Sequence, residues 1–274
     1  MSVPLALNLI DSHCHITSNM NTISQIPGIM TGRMMVMATS PSDWTSLEEA
    51  YRRYPKKIVP FFGIHPWSSN AQVDPALSRL EQLLKSNPDW HVGEIGIDKR
   101  FKNPLTGAPY PIDAQWSLFK KQMAIASAYQ RAVSIHNVQM HGLFLDYLRE
   151  LVQTSDRYSS RSIAFPSAII LHSYSGSVEN ARALLKLKHV GESIYFGFSH
   201  SVNSKASKTE RVIQGIPADR ILLETDCHGT DLVDGELQKV LEMVANAKGW
   251  SLEVCAAKTT CNVLRLLKKS QDSP

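Results

Sequence analysis

At 274 residues, with 43% apolar and 20% charged residues, the chain has the composition of a globular protein, which excludes a disordered, collagenous or coiled-coil molecule. The 29 Lys and Arg against 25 Asp and Glu leave a formal charge of +4, only a weak hint of an anionic partner. No apolar run reaches the roughly 18 residues needed to span a bilayer, and the opening MSVPLALNLIDSHCH lacks a basic stretch and a small-residue cleavage site.

The apolar N-terminal piece therefore reads as a first strand, Leu7 to Ile10. Further short β-rich runs follow at Met34 to Thr39, Ile58 to Gly63, His91 to Ile97, Ala132 to Ile135, Ser167 to Leu171, Ser193 to Gly197 and Arg220 to Leu223. Between them lie stretches with apolar residues at i, i+3, i+4 spacing, among them Ala76 to Lys85, Gln115 to Arg131, Phe144 to Thr154 and Val178 to Lys188. Asp74-Pro75 has the form of an N-cap followed by Pro at the first helical position, and Asp113 can cap the long helix after Pro111. Pro104 to Pro111 is the most loop-like stretch. Gly235 to Lys269 reads as two helices broken near Gly249-Trp250-Ser251, and the tail after Lys269 as frayed.

Strands that alternate with helices at this pitch imply parallel pairing, because parallel neighbours need long crossovers. Eight such units predict an α/β fold of the (β/α)8 TIM-barrel type, one domain over residues 1–274. A doubly wound open sheet is the competitor, and no glycine-rich phosphate loop after the first strand supports it.

Metal-competent side chains recur at the ends of these runs, which a barrel gathers on one face. His13 and His15 stand two apart on an extended segment and share a side. Glu94 lies inside the glycine-flanked run Gly93-Glu94-Ile95-Gly96-Ile97-Asp98, where an unpaired charge costs several kcal/mol and a cation offsets it. Its plainer reading is a pair with Lys or Arg, yet no basic residue lies inside any of the other core strands. His136, His172 and Asp226 follow the fifth, sixth and eighth runs. Singly each His is more often an ordinary structural one; together the six converge on a metal centre.

Asp98 reads as a turn or capping residue. His65, His200 and His228 fall at strand ends on the same face and are candidate substrate contacts, and His65 equally suits a loop hydrogen bond. Arg100 and Lys99 follow the Glu94 strand and are placed to receive a phosphate or simply to be solvated. His91, His141 and His189 read as structural or solvated. Cys14, Cys227, Cys255 and Cys261 lack paired spacing and read as reduced thiols of an intracellular, cytoplasmic or nuclear protein; alternation turns Cys14 away from the face of His13 and His15.

Histidines with carboxylates suit zinc, manganese or iron, and magnesium, with its taste for oxygen ligands, less well. The expected cofactors are two divalent cations: one on His13, His15 and Asp226, one on His136 and His172, and Glu94 across both. Such a pair activates water for hydrolysis, with Asp226 as the base and Glu224 as a supporting partner.

The motifs Asp11-x-His13-x-His15, Gly63-x-His65-Pro66, Gly93-Glu94-Ile95-Gly96-Ile97-Asp98, His172-x-Tyr174-Ser175-Gly176 and Glu224-Thr225-Asp226 resemble, in order, those of the TatD family of metal-dependent deoxyribonucleases, in a divergent eukaryotic-type member. The resemblance implies a TIM barrel, a two-metal site on the six residues, and hydrolysis of DNA, as a single strand or 3′ end, often in the 3′-5′ direction. Glu94 separates the chain from amidohydrolases that bridge their metals with a carboxylated lysine. The chain departs from the family at Val138, where an arginine is usual, at Cys227, and in Phe196-Gly197-Phe198-Ser199-His200. Two other expectations stay open: hydrolysis of a small phosphoester or amide on the same barrel, and a scaffold that binds a protein partner. No basic stripe with interleaved aromatics is visible, which favours transient contact with a strand end over tight nucleic-acid binding.

Overall fold

Eight strands, each hydrogen-bonded to the next in parallel, form one sheet in the order β1 to β8. They are β1 (Ile10–Cys14), β2 (Arg33–Met37), β3 (Ile58–Phe62), β4 (His91–Asp98), β5 (Val133–Val138), β6 (Ile169–Leu171), β7 (Ile194–Ser199) and β8 (Ile221–Glu224). The computed structural model describes residues 9–17, 20–69, 73–103, 106–157 and 165–269, so part of the expected first strand, part of the Pro104 to Pro111 loop and the tail after Lys269 lie outside the described residues.

The sheet closes between β8 and β1. Asp226 N–H donates to His13 O at 2.9 Å and His15 N–H to Cys227 O at 2.7 Å. The buried Asp11 carboxylate adds a side-chain clasp, accepting Thr225 Oγ1–H at 2.6 Å and Thr225 N–H at 3.1 Å. Burial pushes the Asp11 carboxyl up to about 7, against the lowering effect of these hydrogen bonds.

Alternation along the strands makes two apolar layers. Met35, Met37, Val59, Phe61, Ile170 and Leu222 fill the barrel, whereas their neighbours Met34, Val36, Ile58, Phe62, Ile169 and Ile221 face the helices. Those helices are α1 (Trp44–Arg53), α2 (Val73–Ser86), α3 (Ile112–Ala128), α4 (His141–Arg157), α5 (Val178–Leu185), α6 (His200–Asn203), α7 (Thr209–Gly215), α8 (Val233–Lys248) and α9 (Leu252–Lys269). Val263, Leu266 and Leu267 of α9 join the inner layer, and Asn262 Nδ2 donates to Ala218 O and Ile221 O at 2.9 Å each. The last helix thus packs at the end of the barrel where the strands begin. The break before it sits at Gly249, whose φ of 66° is in the left-handed region.

Three local expectations shift. The first strand runs through Asp11–Cys14 rather than ending at Ile10, because the seam bonds hold these residues extended. Asp74 lies inside the first turn of α2, ion-paired with Lys121 at 2.9 Å. Pro111, not Asp113, holds the N-cap position of α3, and Asp113 sits in the first turn, where its charge complements the helix dipole.

His91 opens β4 beneath the site, buried against the Phe61 ring at 4.8 Å. Burial, with Arg131 and Arg33 nearby, lowers its value from 6.5 to about 3. The unfolded chain therefore binds the extra proton over that interval, and stability falls as pH drops below 6.5. Urea titrations should show the wild type losing up to about 1.4 kcal/mol per pH unit more than His91→Gln in this window; parallel acid limbs would refute a neutral buried His91.

Candidate metal centre

Two β-bulges aim the site. Residues Ile10 and Cys14 of β1 face opposite layers although they are four apart, because the register with β2 shifts between Asp11 and Cys14. The shift leaves Cys14 among the outer residues and turns His13 and His15 inward. A second shift between Val92 and Ile95 of β4 keeps both of those side chains in the outer layer and sends Glu94 into the barrel. Bulges of this kind re-aim side chains beside active sites. Gly96 lets β5 come close, since a Cβ there would lie 1.9 Å from His136 O.

The Glu94 carboxylate, 3% exposed, is the hub. Its Oε2 lies 3.2 Å from His15 Nε2 and 3.5 Å from His13 Nε2. Its Oε1 lies 2.7 Å from His172 Nε2, 2.8 Å from His136 Nδ1 and 3.4 Å from His65 Nε2. Asp226 Oδ1 reaches His15 Nε2 at 3.5 Å and His13 Nε2 at 3.7 Å. The structure thus brings together His13, His15, Glu94, His136, His172 and Asp226, with His65 added.

The outer nitrogen of each ring sets what its inner nitrogen can do. His15 Nδ1 faces Met37 O at 3.3 Å, His136 Nε2 faces Asp98 Oδ2 at 3.4 Å, and His172 Nδ1 lies 3.6 Å from Glu224 Oε1. Met37 O and Asp98 can each take a proton, which in the neutral ring leaves a lone pair directed inward; Glu224, too far from His172 Nδ1 for a hydrogen bond, favours the same tautomer by its charge. His13 Nδ1 meets Ser134 Oγ at 2.8 Å, which serves the same tautomer. His65 differs: its Nδ1 accepts Trp67 N–H at 3.3 Å, so in the neutral ring Nε2 carries the hydrogen. Burial lowers His65 to about 4, and the ring is a donor toward Glu94 rather than a fifth lone pair.

Charge in the cluster is compensated internally. Burial works against ionising Glu94, yet His172, His65 and His13 hold it well below the carboxylate range. Burial likewise opposes ionisation of Asp226, and His15, His172 and His13 outweigh it, lowering the carboxyl. Burial works against charging His15, but Asp226 and Glu94 carry it up to about 10. His172 is also raised, burial notwithstanding, by Glu94 and Glu224. In this arrangement protons stand where a cation would release them. Glu94 Oε1 carries no well-directed hydrogen bond although the His172 and His136 nitrogens crowd it at 2.7 and 2.8 Å, the geometry of ligand atoms that share a cation, while His65 Nε2–H stands farther off at 3.4 Å. Three overlapping groups of ligand atoms within 4.8 Å of one another, all in this cluster, meet the requirement among the described residues.

Supporting groups extend the set. Glu224, fully buried, accepts Ser173 N–H and Ser173 Oγ–H, and Gly197 gives it room, since a Cβ there would lie 2.0 Å from Oε2. Asp98 both caps a turn, with Oδ1 accepting Arg100 N–H at 2.8 Å, and receives His136 and the Trp67 indole on Oδ2. The sequence reading gave it only the first task. Its position two and four residues beyond Gly96 and Glu94 on one strand face was the available signal; Ser134, two before His136, carried the same one.

The remaining candidates stand around the mouth. His228 is exposed and stacks on His15, ring centroids 4.7 Å apart. Arg100 and Lys99 are exposed just beyond β4. His200 is turned toward α8, its Nδ1 3.3 Å from Glu236 Oε2, and lies beside a separate groove between α7 and α8 that includes Glu210, Lys239 and Asn246. Cys227 is buried at the seam, and its thiol is pushed up to about 11 by burial. No helix among the described residues is long and apolar enough to cross a membrane.

Comparison with known proteins fits this geometry. The family model described as TatD related DNase matches residues 10–268. The Cut9-interacting protein scn1 of Schizosaccharomyces pombe is 28% identical, over 95% of this chain and 99% of that protein. The 3′-5′ ssDNA/RNA exonuclease TatD of Edwardsiella piscicida is 27% identical, over 70% of this chain and 66% of that one. Among solved structures, the TatD homologue YJJV of Escherichia coli superposes with a TM-score of 0.74 at 22% identity, covering 95% of this chain and 98% of that one. At that identity the likeness speaks for the barrel alone.

Removal of the Asp98 carboxylate frees the His136 ring to turn. Asp98→Ala should weaken divalent-metal binding about 10- to 100-fold by calorimetry, whereas His65→Gln should leave it within about threefold, since it removes a long polar contact to Glu94 and no ligand. Equal losses in both variants would overturn the tautomer assignment.

Proposed function

The chain belongs to the TatD-related DNases, a family of metal-dependent hydrolases acting on ester bonds, and from that membership we propose that it cleaves DNA phosphodiester bonds at a strand end with two divalent cations. The observation that carries the two-cation reading is the split Glu94 carboxylate: Oε2 addresses His13 and His15, Oε1 addresses His136 and His172. One cation would be held by His13, His15, Glu94 and Asp226, the other by Glu94, His136 and His172. The imidazole-rich donor set favours zinc, manganese or iron over magnesium. The name of the Edwardsiella piscicida relative supports the 3′-5′ direction and a single strand, DNA or RNA.

Bound cations would supply Lewis-acid polarisation of the phosphoryl group and a water acidified toward neutrality. The chain's own residues then divide the work. Asp226 is the most open of the six, its side chain 21% exposed against 0% for His13 and 3% for Glu94, so it meets water entering from the mouth. Its carboxylate takes the proton of the attacking water and returns it to the leaving oxygen. The positive φ of 56° at Asp226 turns the chain back after β8 while its N–H stays bonded to His13 O, which holds the base against the β1 histidines. His228 and Arg100, exposed at the mouth, would receive a phosphate's oxygens, and His65, buried with its Nε2–H toward Glu94, would do so only by turning from that carboxylate. A protein partner is a second role, favoured by the Schizosaccharomyces pombe relative, named for its interaction with Cut9.

The test pairs metal content with hydrolysis. Protein stripped with EDTA should lose release of nucleotides from 3′-labelled single-stranded DNA and regain it with manganese or zinc. Asp226→Asn should lower kcat about 10²- to 10⁴-fold, and Glu94→Gln should in addition lower the metal bound per chain by elemental analysis. Unchanged turnover in both variants would sink the site assignment; turnover of small phosphoesters without DNA would sink the substrate.

A further inference from the structure

Beside the candidate centre an aromatic surface stands open. Trp67, in the 3-10 turn Pro66–Ser68 after β3, is 45% exposed although its ring is held on several sides. Its Nε1–H donates to Asp98 Oδ2 at 2.9 Å. Its ring stacks on Phe101 with centroids 4.5 Å apart and an angle of 14°, and meets His65 edge-on at 4.5 Å. Phe101 is in turn braced by Tyr110 at 4.9 Å.

The loop that carries Phe101 is tied to itself. Asn103 N–H donates to Ala108 O at 2.8 Å, Tyr110 N–H to Phe101 O at 3.3 Å, and Lys102 bridges Pro109 in antiparallel fashion. Lys99, Arg100 and Lys102 are all exposed on this loop. The sequence shows no stripe of cations and aromatics because one half of it, Trp67, arrives from a different loop.

A ring locked in place yet nearly half open accepts a flat partner without further loss of side-chain freedom. Aromatic faces among cations, beside a centre that handles phosphoryl groups, have the chemistry of a single-strand platform, where bases stack and phosphates are neutralised. The ledge is also coupled to the site, since Asp98 Oδ2 receives both the Trp67 indole and the His136 ring, and the centroids of those two rings are 5.9 Å apart.

We infer that Trp67 and Phe101 form the stacking subsite for the terminal base of a single-stranded nucleic acid, with Lys99, Arg100 and Lys102 neutralising the phosphates of the strand that approaches it. This rests on the phosphodiesterase reading above and adds to it how the strand is held. Because every base has a π-face, the subsite reads the presence of a base and not its identity.

The experiment compares kcat/KM for two single-stranded oligonucleotides, one ending in an ordinary 3′ nucleotide and one in an abasic 3′ residue, in the metal-loaded wild type, Trp67→Leu and Trp67→Phe. The wild type should prefer the base-bearing end by about 5- to 100-fold. Trp67→Leu should bring the ratio near one, and Trp67→Phe should keep most of it. Both substrates depend on His136, so loss of the Asp98 hydrogen bond cancels in the ratio. Should Trp67→Leu fail to fold, Phe101→Ala is expected to lower the ratio likewise. A wild type that hydrolyses DNA with no preference, or with a preference that Trp67→Leu or its Phe101→Ala substitute leaves intact, overturns the stacking subsite alone. A wild type that hydrolyses no DNA with any cation overturns the phosphodiesterase reading and this inference with it.

Discussion

The constraint on which the rest depends is the Glu94 carboxylate, ionised inside the barrel above a layer of apolar side chains. An isolated charge there is costly enough to unfold or neutralise the site. The neighbouring strands answer it with imidazoles on both sides, and those imidazoles are held in turn by Ser134, Met37 O, Asp98 and Glu224. The polar network extends outward until it reaches backbone at the seam and in the loops. Its shape follows from electrostatics, since each buried charge needs a partner and each partner a fixed direction.

That network also accounts for departures from regular strand geometry. A strict alternation from Ile10 would turn His13 to the helices, and one from Val92 would do the same to Glu94. The two register shifts correct both at once. The close approach at Gly96 and the space at Gly197 serve the same end, the one bringing β5 against β4, the other admitting the Glu224 side chain. The barrel is irregular where the candidate centre needs it to be, and regular between β2 and β3, which carry none of the six residues.

The family supplies the hydrolase and its dependence on metal, while the geometry supplies the division of labour among histidines. Four rings direct toward the carboxylates a nitrogen that a cation could take once its proton leaves, and one presents a hydrogen that its tautomer keeps, a distinction made by what lies behind each ring. Asp98 joins this inner arrangement to the open aromatic ledge of Trp67 and Phe101. Recognition of a strand and support of a candidate ligand therefore share one carboxylate oxygen, so that the β3 and β4 loops act as a unit.

Residue types and spacing in the sequence determined the eight strand-and-helix units, the barrel, and the six metal-competent side chains, because parallel strands alternate with helices at a readable period and ligands fall at strand ends. The break at Gly249 was legible for a similar reason, a local conformation that one residue favours. What only the tertiary structure decided was direction and pairing across the chain. The inward turn of Glu94 depends on a bulge, whose signal is the register with a neighbouring strand. The choice of His65 as donor depends on the Trp67 N–H, and the second task of Asp98 depends on a ring 38 residues away. The cation-and-aromatic ledge is split between two loops and so has no period to read. Local order is written in adjacent residues, whereas a tautomer, a buried charge pair or a shared surface exists only once distant segments have met.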